Sequence, residues 1–347
     1  QLSHVDMASV SVATSLWGPV VFSVQGLLIA VTPVVAQLLG QQKHSENNQT
    51  MAATFVQGVY LSLIVCVVVV GFYQFSDIPL KNLDLEPELY EKSVGYLQYV
   101  IYGVVPTCLF FVMRSFCEGI GLTKPALITG VIGLIVNIPL NYVFVFGEFG
   151  MPQLGGAGCG LATALVQWVS FIALVIYFKV SKQLKPFNFI KAWAKPDFTA
   201  IGNLTRIGFP IFVSLIFETT LFAFSALAIA PLGAIAIAGH QVAFSYSSVV
   251  FMIPLSLSMA ATIRIGYIRG IGDMHMLKQA IKSCFVLAAL FGMSVMLITF
   301  MFRDVIIALY TSEPEVVGLA ASILIITAIY QLPDAIQVMC AGIFKGL

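Results

Sequence analysis

The sequence predicts an all-α protein that crosses a membrane many times. Of its 347 residues, 59% are hydrophobic and 10% are charged, and the mean hydropathy is +0.97. Soluble domains are about 45–50% apolar and about 25% charged, so this composition excludes a soluble enzyme and a nucleic-acid-binding protein. The apolar stretches reach ~20 residues or more, the length of a membrane helix, whereas a membrane β-barrel shows alternating segments of about 10 residues.

Nine apolar stretches follow one another along the chain, and each is long enough to cross a hydrocarbon core of ~30 Å. Their approximate bounds, read between charged residues, are 8–38, 48–76, 92–116, 124–147, 157–179, 206–230, 233–263, 280–302 and 316–344. The net charge is only +1, so total charge indicates no particular partner.

The connections between the stretches alternate in charge, and this alternation predicts the orientation of the chain. One set of connections, together with the chain end, carries 14 of the 17 Lys and Arg residues, and the other set carries most of the acids. Because basic connections face the cytoplasm, we expect the first stretch to begin outside and the chain to end inside. The longest basic connection, residues 179–206, is predicted to be a solvated cytoplasmic linker between two halves.

The two halves of the chain repeat each other at an offset of 227–230 residues, the pattern of an internal duplication. The matching positions include 20–22 with 249–251, Gly40 with Gly270, Phe55 with Phe285, 86–88 with 313–315, and Pro106 with Pro333. The repeat predicts one further helix before residue 1 and two after residue 347. The nine stretches would then belong to twelve helices in two six-helix lobes, related by a pseudo-twofold axis along the membrane normal, as in transporters. We expect an N-terminal lobe over 1–180, the linker over 181–205 and a C-terminal lobe over 206–347.

Two acidic residues fall deep inside predicted stretches. At 1.5 Å per residue, Glu218 lies about 18 Å from the end of its stretch, and Asp334 lies at a similar depth, directly after Pro333. An ionised acid there costs about 2.5–3.5 kcal/mol or more, so such residues normally face a cavity or a partner. Tyr330 and Gln337 fall on the same helix face as Asp334. We interpret the two acids as a cation site; the alternative is a pair of protonated carboxyls that join helices by hydrogen bonds.

Other polar residues are weaker candidates for a cavity. Asn137 and Asn141 share one face of a helix that also contains Pro139, and they fit either a polar cavity or hydrogen bonds between helices. Gln241 lies in an otherwise apolar run, and Phe222 could offer an aromatic wall to a cationic ligand. The sequence contains no nucleotide-binding loop, HExxH, GxSxG or Cys-x-x-Cys motif, so we do not expect an enzyme.

Several segments, taken together, resemble one family of membrane proteins. They are Ala238-Gly239-His240-Gln241 through Ile263-Arg264-Ile265-Gly266, the run Glu118-Gly119-Ile120-Gly121-Leu122-Thr123-Lys124-Pro125, residues 146–158, and Gly208-Phe209-Pro210 before Glu218. In this order they resemble the multidrug and toxic compound extrusion (MATE) transporters of the bacterial NorM type. The resemblance implies twelve helices in two lobes and the export of cationic and amphiphilic compounds in exchange for Na+ or H+, without a cofactor.

The resemblance also implies roles for particular residues. Glu218, Asp334 and Tyr330 would form the cation-coupling site, with Na+ held by Glu218 and Asp334 if Na+ is the coupling ion. Asn137 and Asn141 would form the polar cavity of the N-terminal lobe. The residues implied for the substrate cavity are Gln241, Phe222 and Phe251. An aspartate that the family carries on its first helix has no counterpart in this chain.

The sequence therefore favours a secondary active multidrug antiporter that works by alternating access in a bacterial plasma membrane. We expect a monomer whose partners are cationic drugs, Na+ or H+, and the lipid bilayer. One alternative is a flippase for lipid-linked saccharides, which would need Arg and Lys in its cavity to bind phosphate, whereas no basic residue lies in the middle of a stretch. The other is a membrane subunit of a cation-pumping redox complex, which would need Lys and Glu along several helices.

Overall fold

A computed structural model of the protein describes residues 4–41, 46–73, 75, 80–81, 86–229, 233–311 and 313–347. Within them the regular structure is entirely helical, as predicted, with eleven α-helices and a few short 3₁₀ turns. The helices are α1 His4–Leu28, α2 Val31–Gly40, α3 Glu46–Tyr73, α4 Pro87–Val100, α5 Val104–Gly119, α6 Lys124–Phe146, α7 Gly156–Val180, α8 Phe198–Ile229, α9 Ala234–Ile271, α10 Met274–Ala308 and α11 Pro314–Gly346.

These helices form nine stretches in the described part of the chain that are long and apolar enough to cross a membrane, which confirms the predicted number. Two of the stretches consist of two helices each. The break between α1 and α2 falls at the residue four before Pro33, and the break between α4 and α5 includes the residue four before Pro106. Proline weakens the helix at both breaks, because it has no N–H for the carbonyl four residues back and its ring clashes with that carbonyl.

Several helices extend past the predicted ends, because the predictions stopped at charged residues. The α9 helix continues beyond residue 263 to Ile271, where Gly272 takes a left-handed conformation with φ of 83°. The next helix begins directly afterwards, and the Asp273 side chain accepts hydrogen bonds from the backbone N–H groups of His275 and Met276 at 2.9 Å each. Glycine at a helix end and aspartate at a helix start are favourable caps, so local capping sets these ends.

The described chain forms two compact units. The first comprises Gln1–Val35 and Lys43–Thr219, and the second comprises Ala36–Gln42 and Thr220–Leu347. Their boundary lies within α8, and the whole segment 181–205 belongs to the first unit. The division into lobes at residues 180 and 206 stays a prediction.

A charged cluster ties three helices of the first unit together. The Asp6 carboxylate of α1 lies 3.0 Å from the Lys92 ammonium of α4, and it accepts a hydrogen bond from the Gly156 N–H at the start of α7. Lys92 also pairs with Glu88 at 2.9 Å. Asp6 is buried, and a buried carboxylate needs such partners because its desolvation is costly. The sequence analysis did not identify this cluster.

In the second unit, α9 and α11 approach closely through small residues. The Ser258 hydroxyl donates to the Val338 carbonyl at 2.7 Å, and the Thr262 hydroxyl donates to the Gly342 carbonyl at 2.8 Å. A Cβ atom at Gly342 would overlap the Ser258 carbonyl. Small residues and hydroxyl hydrogen bonds are typical of helix pairs in membranes, so this contact fixes two of the helices that form the candidate site.

The connection between α7 and α8 packs against the first unit at a few positions, while most of its residues are exposed. Leu184 and Phe187 are buried, and the Phe187 ring meets Phe116 of α5 edge-on with 5.2 Å between centroids. The sequence analysis considered the lysines of this segment and not its aromatic residues, which pack against the first unit. The role of the segment as a cytoplasmic linker stays a prediction.

Candidate functional site

The second unit contains a pocket that brings Asp334 and Tyr330 together. Three helices form its walls, α9, α10 and α11, and its empty volume is about 280 Å³, counting the part open to the surroundings. The residues lining it are Ser247, Val250, Phe251, Pro254, Phe291, Val295, Tyr330, Gln331 and Asp334. Among these residues one is acidic and none is basic. An acid with apolar and aromatic neighbours inside a membrane-length bundle is typical of an ion or substrate pathway.

The pattern of α11 explains why these side chains meet. Its buried residues recur every three or four positions, which places them on one face of a helix. They are Val316, Ala320, Leu324, Ala328, Gln331, Ala335, Val338, Met339, Gly342, Ile343 and Gly346. Tyr330 and Asp334 are one turn apart beside this face: Asp334 is half-buried, and Tyr330 is 45% exposed. The structure thus places Tyr330 and Asp334 in one pocket, and their role in cation coupling stays a prediction.

Prolines add backbone polarity around the pocket. Pro254 lies in α9 and lines the pocket, and Pro333 lies in α11 next to Asp334. Neither proline can donate to the carbonyl four residues earlier, which belongs to Val250 and Ile329 respectively. Carbonyls without a helical donor are the kind of group that coordinates cations in membrane transporters.

A chain of hydrogen bonds that ends at Gln331, one of the residues lining the pocket, joins its three helices. The Tyr246 hydroxyl lies 2.6 Å from the Thr299 hydroxyl, and Thr299 lies 2.9 Å from Oε1 of Gln331. Gln331 is 7% exposed, and its Nε2 has no hydrogen-bond partner in the described structure. Buried polar groups are nearly always paired, so this amide stands out as a candidate functional group.

The sequence analysis missed Gln331 and named Gln337 instead. Gln337 is three residues after Asp334 but is exposed and does not line the pocket, whereas Gln331, three residues before Asp334, does. Both spacings share a helix face, so spacing alone did not distinguish them. The usable signal was the burial pattern of α11, in which Gln331 occupies a position otherwise filled by small and aliphatic residues.

Glu218 belongs to the first unit, near the end of its part of α8. Its side chain is half-buried. The next residue, Thr219, uses its hydroxyl within the helix and donates to the Leu215 carbonyl at 2.8 Å. The role of Glu218 in cation coupling stays a prediction.

The three residues implied for the substrate cavity lie in two places within the second unit. Phe251 lines the pocket with Asp334. Phe222 is instead edge-on to Phe244, with 5.5 Å between ring centroids, and Gln241 is exposed and donates to the Ser245 hydroxyl at 3.3 Å. The structure thus separates Phe251 from an aromatic and amide surface at the start of α9.

Asn137 and Asn141 lie one turn apart on α6, and both are half-buried. The Asn141 side chain donates to the Asn137 carbonyl at 2.9 Å. This bond lies within one helix, so it does not serve to join α6 to another helix. The carboxamide of Asn137 and the oxygen of the Asn141 amide form no hydrogen bond within the described structure, which leaves polar groups on this face of α6.

A transition-metal centre is not indicated. The described residues contain no group of three or more His, Cys, Asp or Glu side chains that could hold a metal ion. A cation in the pocket would instead meet the Asp334 carboxylate together with neutral oxygen atoms, such as the Tyr330 hydroxyl and backbone carbonyls. Hard cations prefer such oxygen ligands, and a transported ion must also leave, so a site of few charges suits transport.

Comparison with known proteins gives one consistent result. A family model described as MatE matches residues 1–143 and 210–347. The chain is 42% identical over 345 residues to "Multidrug resistance protein NorM" of Photobacterium profundum, covering 99% of this chain and 75% of that protein. It is 41% identical over 346 residues to "Multidrug resistance protein MdtK" of Yersinia pseudotuberculosis, with coverage of 99% and 75%.

Solved structures agree on the fold. A MATE crystal structure in the straight conformation superposes with a TM-score of 0.87 at 18% identity, covering 99% of this chain and 75% of that one. The Vibrio cholerae MATE transporter VcmN in its bent form superposes with a TM-score of 0.84 at 18% identity, with coverage of 98% and 75%.

The similarity to the sequence relatives is sufficient to assign a family, because identity above 40% extends over nearly the whole chain. The relatives are transporters and not enzymes, which confirms the expectation drawn from the motifs. The multi-pass helical architecture and the acidic pocket within it are what a transporter requires. Together with the match of the family model to both halves, these findings show that the chain belongs to the MatE family of membrane transporters.

Proposed function

We propose that this protein is a secondary active antiporter that exports cationic and amphiphilic drugs in exchange for Na+ or H+ by alternating access. The names of its relatives, which are multidrug resistance proteins, support drugs as the substrate class. The observation that carries the coupling proposal is the pocket in which Asp334 lies among Tyr330, Gln331 and aromatic side chains.

The chemistry of the pocket favours positive charge. A carboxylate attracts cations, and aromatic faces such as those of Phe251 and Phe291 add favourable contact with organic cations. The residues lining the pocket include no Lys or Arg, so the pocket offers no partner for a phosphate. This composition supports lipophilic cations over the lipid-linked saccharides of the alternative hypothesis.

Antiport requires that the coupling ion and the drug oppose each other's binding. Na+ bound at Asp334, or a proton on it, removes the negative charge that attracts a cationic drug. The opposition needs to be only about 1–3 kcal/mol, a typical coupling free energy. We propose the same role for Glu218, and we propose Asn137 and Asn141 as a polar site of the N-terminal lobe.

The orientation predicted from charge completes the proposal. With the basic connections in the cytoplasm of a bacterial cell, export would carry drugs outward across the inner membrane. An inward gradient of Na+ or H+ would supply the driving force.

The experiment that tests this function measures ethidium efflux from vesicles under separately imposed Na+ and H+ gradients. The wild type should export ethidium under at least one of the two gradients. Asp334→Asn and Glu218→Gln should lose gradient-driven efflux at least tenfold, because each amide keeps the shape of the side chain but cannot exchange the charge. Asp304→Asn is the matched control, since Asp304 is an acid of the second unit that is 79% exposed at the side chain and paired with Arg303.

Near-wild-type efflux from both amide variants at equal membrane levels would contradict the coupling proposal. The two acids would then be protonated carboxyls that hydrogen-bond between helices, because an amide replaces a protonated carboxyl in such a bond. Protection of cells against anionic amphiphiles but not against cations would instead favour the flippase.

A further inference from the structure

The segment that connects α7 to α8 is held in one place by the first unit. The Gln57 side chain of α3 makes two hydrogen bonds to its backbone: Nε2 donates to the Lys195 carbonyl at 3.2 Å, and Oε1 accepts from the Asp197 N–H at 2.9 Å. The Tyr60 hydroxyl donates to the Ala194 carbonyl at 3.1 Å. Gln57 is itself buried, so these contacts anchor the C-terminal end of the segment firmly.

Aromatic packing holds the other end of the segment. The ring of Phe189 lies with its centroid 5.0–5.5 Å from the rings of Phe55, Phe116 and Phe178, and it stacks with Phe187 at 6.0 Å. Such ring pairs stabilise beyond their buried area. The segment is therefore a fixed surface feature, although it contains no regular helix longer than one turn.

The exposed side of the segment carries large apolar side chains together with lysines. Ile190 is 91% exposed and Trp193 is 57% exposed. Around them are exposed lysines, none of which forms an ion pair within the described residues: Lys182, Lys185, Lys191 and Lys195. Between Glu148 and Glu218 the sequence has a single acid, Asp197, and its carboxylate accepts hydrogen bonds from the Thr199 and Ala200 N–H groups at the start of α8.

We infer that this surface, residues 182–195, binds acidic phospholipids of the cytoplasmic leaflet. It lies at the shared end of two membrane-length helices, α7 and α8, which is where headgroups lie. Tryptophan is enriched at this depth, and lysines there extend their ammonium groups to the phosphates. Anionic lipids concentrate on the cytoplasmic side and attract clusters of basic residues. An isoleucine held outward by a fixed backbone fits the upper part of the acyl chains.

The test uses Trp193 as the reporter in the full chain reconstituted in nanodiscs. Each nanodisc contains either phosphatidylglycerol or phosphatidylcholine brominated near the top of the acyl chains, at the same low fraction in an unlabelled zwitterionic lipid. The quenching of Trp193 is the difference between the wild type and Trp193→Phe. Phosphatidylglycerol should quench at least about threefold more than phosphatidylcholine at low salt, and the preference should fall in high salt.

Two charge-matched variants identify the surface. Lys191→Gln combined with Lys195→Gln should bring the ratio of quenching by the two lipids close to one. Lys278→Gln combined with Lys282→Gln removes the same charge from exposed positions of α10 and should leave the ratio unchanged. Equal quenching by both lipids in the wild type would overturn the proposed headgroup preference. No quenching by either lipid would overturn the whole inference and indicate that the surface faces water or a soluble partner.

Discussion

Replacing Gln331 with methionine should leave the protein at least as stable as the wild type while it impairs transport. The wild-type amide makes one hydrogen bond, from the Thr299 hydroxyl to Oε1 at 2.9 Å, and its Nε2 is buried without a partner. Interhelical hydrogen bonds in membranes average about 0.6 kcal/mol, whereas an unsatisfied buried donor costs about 1–3 kcal/mol. Removing both groups should therefore change the free energy of unfolding by between zero and about 2 kcal/mol in favour of the variant.

The neighbours of Gln331 do not alter this balance. After the substitution, the Thr299 hydroxyl still has the Val295 carbonyl as an acceptor at 2.8 Å and the Tyr246 hydroxyl at 2.6 Å. No new group loses its partner, and methionine is flexible enough to fill the space of glutamine. Transport should suffer, because an amide kept at such a cost beside Asp334 is expected to contact the ion or the drug. One hydrogen bond to a charged group is worth about 1.5–3 kcal/mol, which corresponds to roughly tenfold or more in efflux.

The assay pairs the unfolding temperature in detergent with ethidium efflux at equal expression. Thr327→Val is the control on the same helix, because Thr327 makes only a local bond to the Ile323 carbonyl at 3.0 Å and should change neither measurement by much. If Gln331→Met lowers the unfolding temperature by several degrees and preserves efflux, the reasoning is refuted, and the amide is a structural group.

Two further predictions concern packing. Gly342→Leu should lower the unfolding temperature clearly, because its side chain would enter the Ser258 carbonyl and overpacking costs about 1–3 kcal/mol; Gly318→Leu on the same helix, where a Cβ meets nothing within 4 Å, should be tolerated. Lys92→Met should destabilise the first unit by about 1–3 kcal/mol, less than for a fully buried pair because Lys92 is partly exposed. Adding Asp6→Asn should recover part of that loss in the unfolding temperature, and no recovery would show that the pair is not coupled.

The number of membrane stretches could be predicted from sequence because each stretch is recognised by the summed hydropathy of about twenty residues. Hydropathy averages out local detail, so all nine stretches of the described chain were found although two of them are broken into two helices. The breaks themselves were not predicted. Prolines interrupt the helix before Pro33 and Pro106, yet prolines at five other positions lie inside unbroken helices: Pro19, Pro139, Pro210, Pro254 and Pro333. The presence of a proline alone therefore does not distinguish a broken helix from a continuous one.

A residue of the candidate site could be predicted when its type is rare in membrane stretches and not when its type is common there. An acid in a membrane stretch is costly, so Asp334 was evident, and Tyr330 followed from helical spacing. Thr299 and Tyr246 were not found, because the sequence gives no sign of which hydroxyl bonds outside its own helix, and most threonine hydroxyls in the described structure bond locally. Only the arrangement of three helices brings them to Gln331.

The proline that the two copies of the repeat share, Pro106 and Pro333, has different contacts in each copy. In the first copy the contacts are structural. Pro106 leaves the Tyr102 carbonyl without its helical donor. The Trp168 indole N–H of α7 donates to that carbonyl at 3.1 Å. Thr107, the residue after the proline, donates to the Gly103 carbonyl at 2.6 Å. The carbonyl that Pro106 leaves without a helical donor is thus used to hold α7 against this segment.

The second copy leaves its proline next to the pocket instead. Pro333 matches Pro106 in the repeat and deprives the Ile329 carbonyl of a donor in the same way, but α11 continues unbroken through this point. The residue after it is Asp334, where the first copy has Thr107, and the pocket is lined by that acid and by Tyr330. The same proline therefore has different surroundings in the two copies. It is followed by a threonine and lies at a helix contact in the first copy, and it is followed by an aspartate that lines a pocket in the second. Because the first copy has a threonine after the same proline, the acid is not required by the shared helix, which supports the proposed role of Asp334 in transport.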